Sequence, residues 1–187
     1  MGKSFADDDL ALKKNRQLNQ KRTQITLFVE ENDAKAIEQV RKKFNPEQYE
    51  LIKAHVTLCR EDELEQIEKV MLNLTNLDAG YVMIDFGKPV RFSDGKGVLI
   101  PAVGDNEQLQ RLREKILKGV TENPRKHEPH ITLMHPRNST CTDEIFSQIE
   151  KMEFSQRIEF KKISLIEQEI GKKWNVLAEF KLKNKDQ

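Results

Sequence analysis

The chain has 187 residues, 37% hydrophobic and 34% charged, with a formal net charge of +1. That length suffices for one well-buried core or two small lobes sharing one, and the near-neutral balance gives no reason to expect a long nucleic-acid duplex as partner. Two cysteines, Cys59 and Cys141, exclude a disulfide scaffold, and no apolar run reaches transmembrane or secretory-signal form, so a cytoplasmic protein without a membrane partner is expected.

Residues 1–22 are polar, with Asp7, Asp8 and Asp9 ahead of Lys13, Lys14, Arg16, Lys21 and Arg22. Acid before base suits a short helix dipole, but few apolar groups are present to bury, so a partly helical or disordered extension is expected. One domain over 23–187 follows. Residues 24–29 read as a strand by their β-branched and aromatic content. Ala36, Ile37, Val40 and Phe44 make one helical stripe, ended at Asn45-Pro46. A strand through His55 comes next, then a helix carrying Leu64, Ile67, Val70, Met71 and Leu74. Strands are expected at 81–86 and 88–92, then a turn at 93–97. A strand at 98–102 leads to a helix with Leu109, Leu112, Ile116 and Leu117. A strand through His130 and a helix with Ile145, Phe146, Ile149 and Met152 follow. Strands at 158–166 and 174–182, joined by a turn at 169–172, end the chain.

The second part of this order repeats the first. Thirty residues separate Ile25 from His55 and also Ile100 from His130. An internal duplication is inferred, with halves of about 23–97 and 98–187.

Within the repeat the chain twice writes His-x-Thr-Leu, as His55-Val56-Thr57-Leu58 and His130-Ile131-Thr132-Leu133. Side chains alternate along a strand, so His55 and Thr57 share one face, as do His130 and Thr132; by the same count Cys59 and Met134 join them. Imidazole titrates near neutrality, so one histidine can take a proton while the other gives one. The two hydroxyls can donate to the non-bridging oxygens of a phosphate. With no acidic metal cluster or glycine-rich phosphate loop in the sequence, a mechanism without metal or other cofactor is expected.

These paired motifs, Ala54-His55-Val56-Thr57-Leu58 and Pro129-His130-Ile131-Thr132-Leu133, resemble the signature of the two-histidine (2H) phosphoesterase superfamily, which includes RNA ligase-like cyclic phosphodiesterases. The likeness covers 23–187. It implies an α+β fold of two pseudo-symmetric lobes of antiparallel sheet, with flanking helices around a central cleft. It also implies opening of 2′,3′-cyclic phosphates to 2′-phosphates, or making and breaking of 2′–5′ linkages in RNA, without metal or ATP. His55 and His130 are then the catalytic pair, in either order of acid and base, with Thr57 and Thr132 holding the phosphate. The substrate is a nucleotide or RNA end, and the protein is expected to act as a monomer. A non-catalytic nucleotide- or RNA-binding module built on the same groove is the alternative.

Arg60 and Arg137 follow the two motifs and are candidate rim contacts to phosphate; Lys53, Arg91, Lys96 and Arg125 are weaker ones. Phe28, Phe92, Tyr81 and Trp174 are placed in the core rather than against a base. His127 is expected in an exposed loop and not on a metal, and His135 at the rim of the site.

Overall fold

The computed structural model describes residues 21–184. The expected N-terminal extension lies outside the described residues except for Lys21 and Arg22, which open the first strand. The strands in chain order are β1 (Lys21–Phe28), β2 (His55–Cys59), β3 (Val82–Phe86), β4 (Val90–Arg91), β5 (Val98–Val103), β6 (His130–Met134), β7 (Arg157–Phe160), β8 (Lys162–Glu169) and β9 (Asn175–Lys181). The helices are α1 (Glu31–Phe44), α2 (Pro46–Leu51), α3 (Ile67–Thr75), α4 (Glu107–Ile116) and α5 (Asp143–Glu150).

Hydrogen-bonded neighbours run β7-β3-β5-β6-β2-β1-β8-β9, with β4 paired to β5. All named strand pairs are antiparallel. The two motif strands, β2 and β6, lie at the middle of this order, each backed by the strand that opens its half, β1 or β5. The result is the expected α+β architecture, a curled half-barrel of antiparallel sheet with flanking helices. The lobes are not contiguous stretches of chain: β3 pairs with β5, and β8 pairs with β1.

Burial explains the elements. Ile25 and Leu27 of β1, Val56 and Leu58 of β2, and Ile131 and Leu133 of β6 are fully enclosed. Helix α1 turns Ala34, Ile37 and Val40 inward, and α4 turns Leu109, Leu112 and Ile116 inward, each a stripe at helical spacing. Pro46 does not only end α1. It also begins α2 at the first-turn position, where its missing N–H costs nothing.

One expected strand is two. Residues 158–166 divide into β7, which pairs with β3, and β8, which pairs with β1 and β9. The consecutive lysines Lys161 and Lys162 break the alternation that put Ile158 and Phe160 inside. A single residue, Lys161, therefore carries the chain from one end of the strand order to near the other, which requires the sheet to curl until its ends approach. Backbone bonds close that seam: Leu182 N donates to the Lys161 carbonyl (2.9 Å), Lys183 N to that of Ala79 (2.9 Å) and Tyr81 N to that of Lys183 (3.1 Å). Among the described residues no helix is long and apolar enough to cross a membrane.

Candidate active site

β2 and β6 meet antiparallel at Val56 and Ile131, both fully buried. Continuing that register sets His55 opposite Thr132 and Thr57 opposite His130, all four half-buried on the face away from the core. The two histidines are diagonal neighbours, a relation that puts backbones roughly 7–8 Å apart. Imidazoles reaching inward from that spacing can bracket a tetrahedral phosphate.

The surroundings of the two rings match. His55 Nδ1 donates to the Lys53 carbonyl at 2.8 Å, and His130 Nδ1 donates to the Glu128 carbonyl at 3.1 Å. A carbonyl can only accept, so the proton of each neutral ring sits on Nδ1 and Nε2 keeps its lone pair. Each ring also meets an aromatic edge-to-face: Phe28 against His55, with centroids 6.1 Å apart, and Phe92 against His130 at 5.8 Å. Burial pushes the His55 imidazole down to about 4, with the nearby charges of Arg41, His130 and His135 adding to the effect against the Lys53 hydrogen bond. Burial lowers His130 as well, opposed by its bond to Glu128 and reinforced by Arg60.

Cys59 and Met134 do not share the histidine face. Ile25 pairs with Cys59 but Thr26 with Thr57, so Leu58 is one residue too many; on the other side Val98 pairs with Met134 but Leu99 with Thr132, making Leu133 the extra residue. These matched β-bulges shift the alternation by one and turn Cys59 and Met134 into the core. Burial pushes the Cys59 thiol up to about 12, which leaves it unreactive.

The remaining candidates divide. Arg60 is exposed, and its charge reaches His127 and His130. Arg137 is exposed beside His135 and Arg22. Arg91 is a strut, donating to the carbonyls of Gly95, Cys141 and Thr142 and to Asp143 while lying over the Phe146 ring. Arg125 pairs with Asp62 at 2.8 Å. Trp174 stacks under Arg22 at 5.0 Å, and Tyr81 packs on the core. His127, expected in an exposed loop, is only 5% exposed because Gln110 Nε2 donates to its carbonyl (2.7 Å) and draws the segment inward. Its charged neighbours include Arg113 and Arg60, cations that oppose a metal. Among the described residues no three metal-ligating side chains cluster.

Two positioning residues escaped the sequence reading. Arg41 of α1 and Arg113 of α4 are each 1% exposed. Arg41 donates to the carbonyls of Ile52 (2.6 Å) and Gln48 and pairs with Glu38, whose carboxylate accepts from Ala54 N. Arg113 donates to the carbonyls of Leu58 and Arg125 and pairs with Glu63 at 2.6 Å. Both helices thus tie down the backbone around the motif histidines. The signal was present: Ile37, Val40, Arg41, Lys43 and Phe44 align with Leu109, Leu112, Arg113, Lys115 and Ile116. The offset there is 72 residues rather than the 75 between the histidines, which hid it.

The family described as the 2′-5′ RNA ligase superfamily matches residues 29–172, more than half of the chain. Among solved structures the fold is similar to that of E. coli LigT complexed with 3′-AMP, at 16% identity over 88% of this chain and 99% of that one, with a TM-score of 0.64. The fold of a phosphoesterase is similar with the same TM-score of 0.64, at 14% identity over 88% of this chain and all of that one. TT0787 of Thermus thermophilus follows with a TM-score of 0.52, at 17% identity over 88% and 99% of the two chains. No curated protein matches the sequence.

Proposed function

Because the chain belongs to the 2′-5′ RNA ligase superfamily, we propose that it is a metal-independent phosphodiesterase opening 2′,3′-cyclic phosphates of nucleotides or RNA ends. With a 5′-hydroxyl in place of water as the attacking group, the same opening of the P–O3′ bond leaves a 2′–5′ linkage and a free 3′-hydroxyl. The observation that carries the reading is the matched pair of histidines, each with Nδ1 bound to the carbonyl two residues upstream and Nε2 left free for proton transfer.

In the forward direction water attacks phosphorus while the neutral Nε2 of one histidine takes its proton. The P–O3′ bond breaks, and the other histidine, protonated, gives its proton to the departing O3′. The product is a 2′-phosphate with a free 3′-hydroxyl. Thr57 and Thr132 donate to the non-bridging oxygens, where negative charge concentrates in the transition state. Bound phosphate, itself anionic, favours the imidazolium form that the acid step needs.

The test is turnover of 2′,3′-cyclic AMP in EDTA, followed by phosphorus NMR. Conversion to the 2′-monophosphate is expected, with His55→Ala and His130→Ala each slower by about 10²–10⁴-fold. Near-wild-type rates in both variants, or loss of activity in chelator with rescue by a divalent ion, would overturn the mechanism. Nucleotide binding without any product would make the protein a binding module.

A further inference from the structure

A cavity of about 290 Å³ opens beside His130, between the end of β5 and the segment leading into β6. It arises from the β5–α4 connection. Three residues, 104–106, link these elements, and two of them hold positive φ: Gly104 at 82° and Asn106 at 54°. The corresponding β1–α1 connection takes only two residues, 29 and 30. The extra residue and the left-handed turn bow the chain outward and leave room above Pro101, Ala102 and Pro129.

The chemistry of the walls states what fits. Pro101, Ala102 and Pro129 give an apolar surface for the faces of a planar ring. Gln110 donates one Nε2 N–H to the His127 carbonyl, which fixes the amide and leaves its Oε1 as an acceptor. The carboxylates of Asp105 and Glu128 also line the space, offset by Lys126 alone. An acidic, acceptor-rich wall repels a second phosphate and favours an uncharged group that donates hydrogen bonds. His130 forms part of the cavity and of the histidine pair, so a ligand held between the two histidines by its phosphate extends into this space.

We infer that the cavity is a nucleobase subsite selective for bases that carry an amino group where uracil has its C4 carbonyl, adenine or cytosine, over uracil. This rests on the proposed nucleotide phosphodiesterase reading and adds the base it selects. Adenine N6 and cytosine N4 are donors where uracil presents a carbonyl, and Gln110 Oε1 and the Asp105 carboxylate receive them. Asn106 supplies an adaptable amide at the mouth.

Calorimetric binding of 2′-AMP, 2′-CMP, 2′-UMP and inorganic phosphate tests the assignment without relying on turnover. 2′-AMP and 2′-CMP are expected to bind at least about tenfold more tightly than 2′-UMP, the discrimination that one well-placed hydrogen bond provides. Pro101→Phe, opposite His130 on the cavity face of β5, fills the cavity and should bring 2′-AMP to the affinity of phosphate while phosphate still binds. Asn106→Gly removes the amide while keeping the left-handed backbone unstrained; it should lower 2′-AMP affinity several-fold with Tm retained. Amide NMR signals of Ala102, Gly104 and Lys126 should shift with 2′-AMP and not with phosphate. Equal affinity for all three nucleotides, or full 2′-AMP affinity in a folded Pro101→Phe variant, overturns the subsite. Base discrimination without cyclic-phosphate turnover keeps the subsite and removes the phosphodiesterase; turnover indifferent to the base does the reverse.

Discussion

Burial of both imidazoles sets the pH at which the pair can work. One ring must be neutral and the other protonated, and both His55, near 4, and His130 are held below the ordinary 6.5. The productive combination is most populated between the two values, so kcat/KM, which reports the free enzyme, should peak below pH 6.5 and fall above it. An optimum near pH 8 would contradict this. His127 carries the stability counterpart. Burial and the charges of Arg113, Arg60 and His130 push it down to about 4, against a weaker pull from Glu63. Between pH 6.5 and about 4 the unfolded chain therefore binds the more protons. Stability is full above 6.5 and is lost as pH falls through that window. Thermal melts of His127→Gln should show a flatter Tm against pH there than wild type; parallel curves would exclude the effect. At this scale the face shared by His55, Thr57, His130 and Thr132 was legible, because alternation within a regular stretch of strand needs no tertiary information. Arg41 and Arg113 were not, since an arginine on a helix is usually solvated and only the fold reveals two that are enclosed.

The strand ends decide how accurately those rings are held. Gly97 lies where β5 leaves the turn after β4, and a Cβ there would stand 2.6 Å from the Met134 carbonyl and 2.8 Å from Phe92 Cδ2. The carbonyl belongs to β6, so it cannot swing aside, and Phe92 is the ring against His130. Gly97→Ala is thus expected to cost about 1–3 kcal/mol in urea unfolding, as overpacking does. It should also lower kcat by moving the Phe92 edge; unchanged stability and turnover would show that the contact relaxes freely. Most elements could be read in order from periodicity, with bounds shifted by a few residues. The bulges at Leu58 and Leu133 could not, because an inserted residue leaves no mark in composition. The division at Lys161 was marked by two adjacent lysines, but its meaning depends on pairing partners far along the chain.

The order of strands across the whole sheet lies beyond any local pattern, since it is fixed by long-range pairings such as Val56 with Ile131. What holds that order at the cleft is a crossed pair of braces. Helix α1 packs against β6, and α4 against β2, so each helix supports the motif strand of the other half. Asn45, at the end of α1, donates to Asn138 and accepts from His135 N beyond β6. Arg113 of α4 donates to the Leu58 carbonyl in the β2 bulge and pairs with the enclosed Glu63. Removing one partner of such a buried pair strands the other, so Arg113→Ala should lose about 3–5 kcal/mol, read from the urea midpoint. Replacing both by methionine removes the stranded charge, and Arg113→Met with Glu63→Met should recover most of the stability. It does not restore the bond to the Leu58 carbonyl. Hence kcat of the stable double variant should stay depressed while KM changes little. Recovery of kcat together with stability would reduce Arg113 to a packing role; their separation would identify it as the brace that positions His55 for the chemistry.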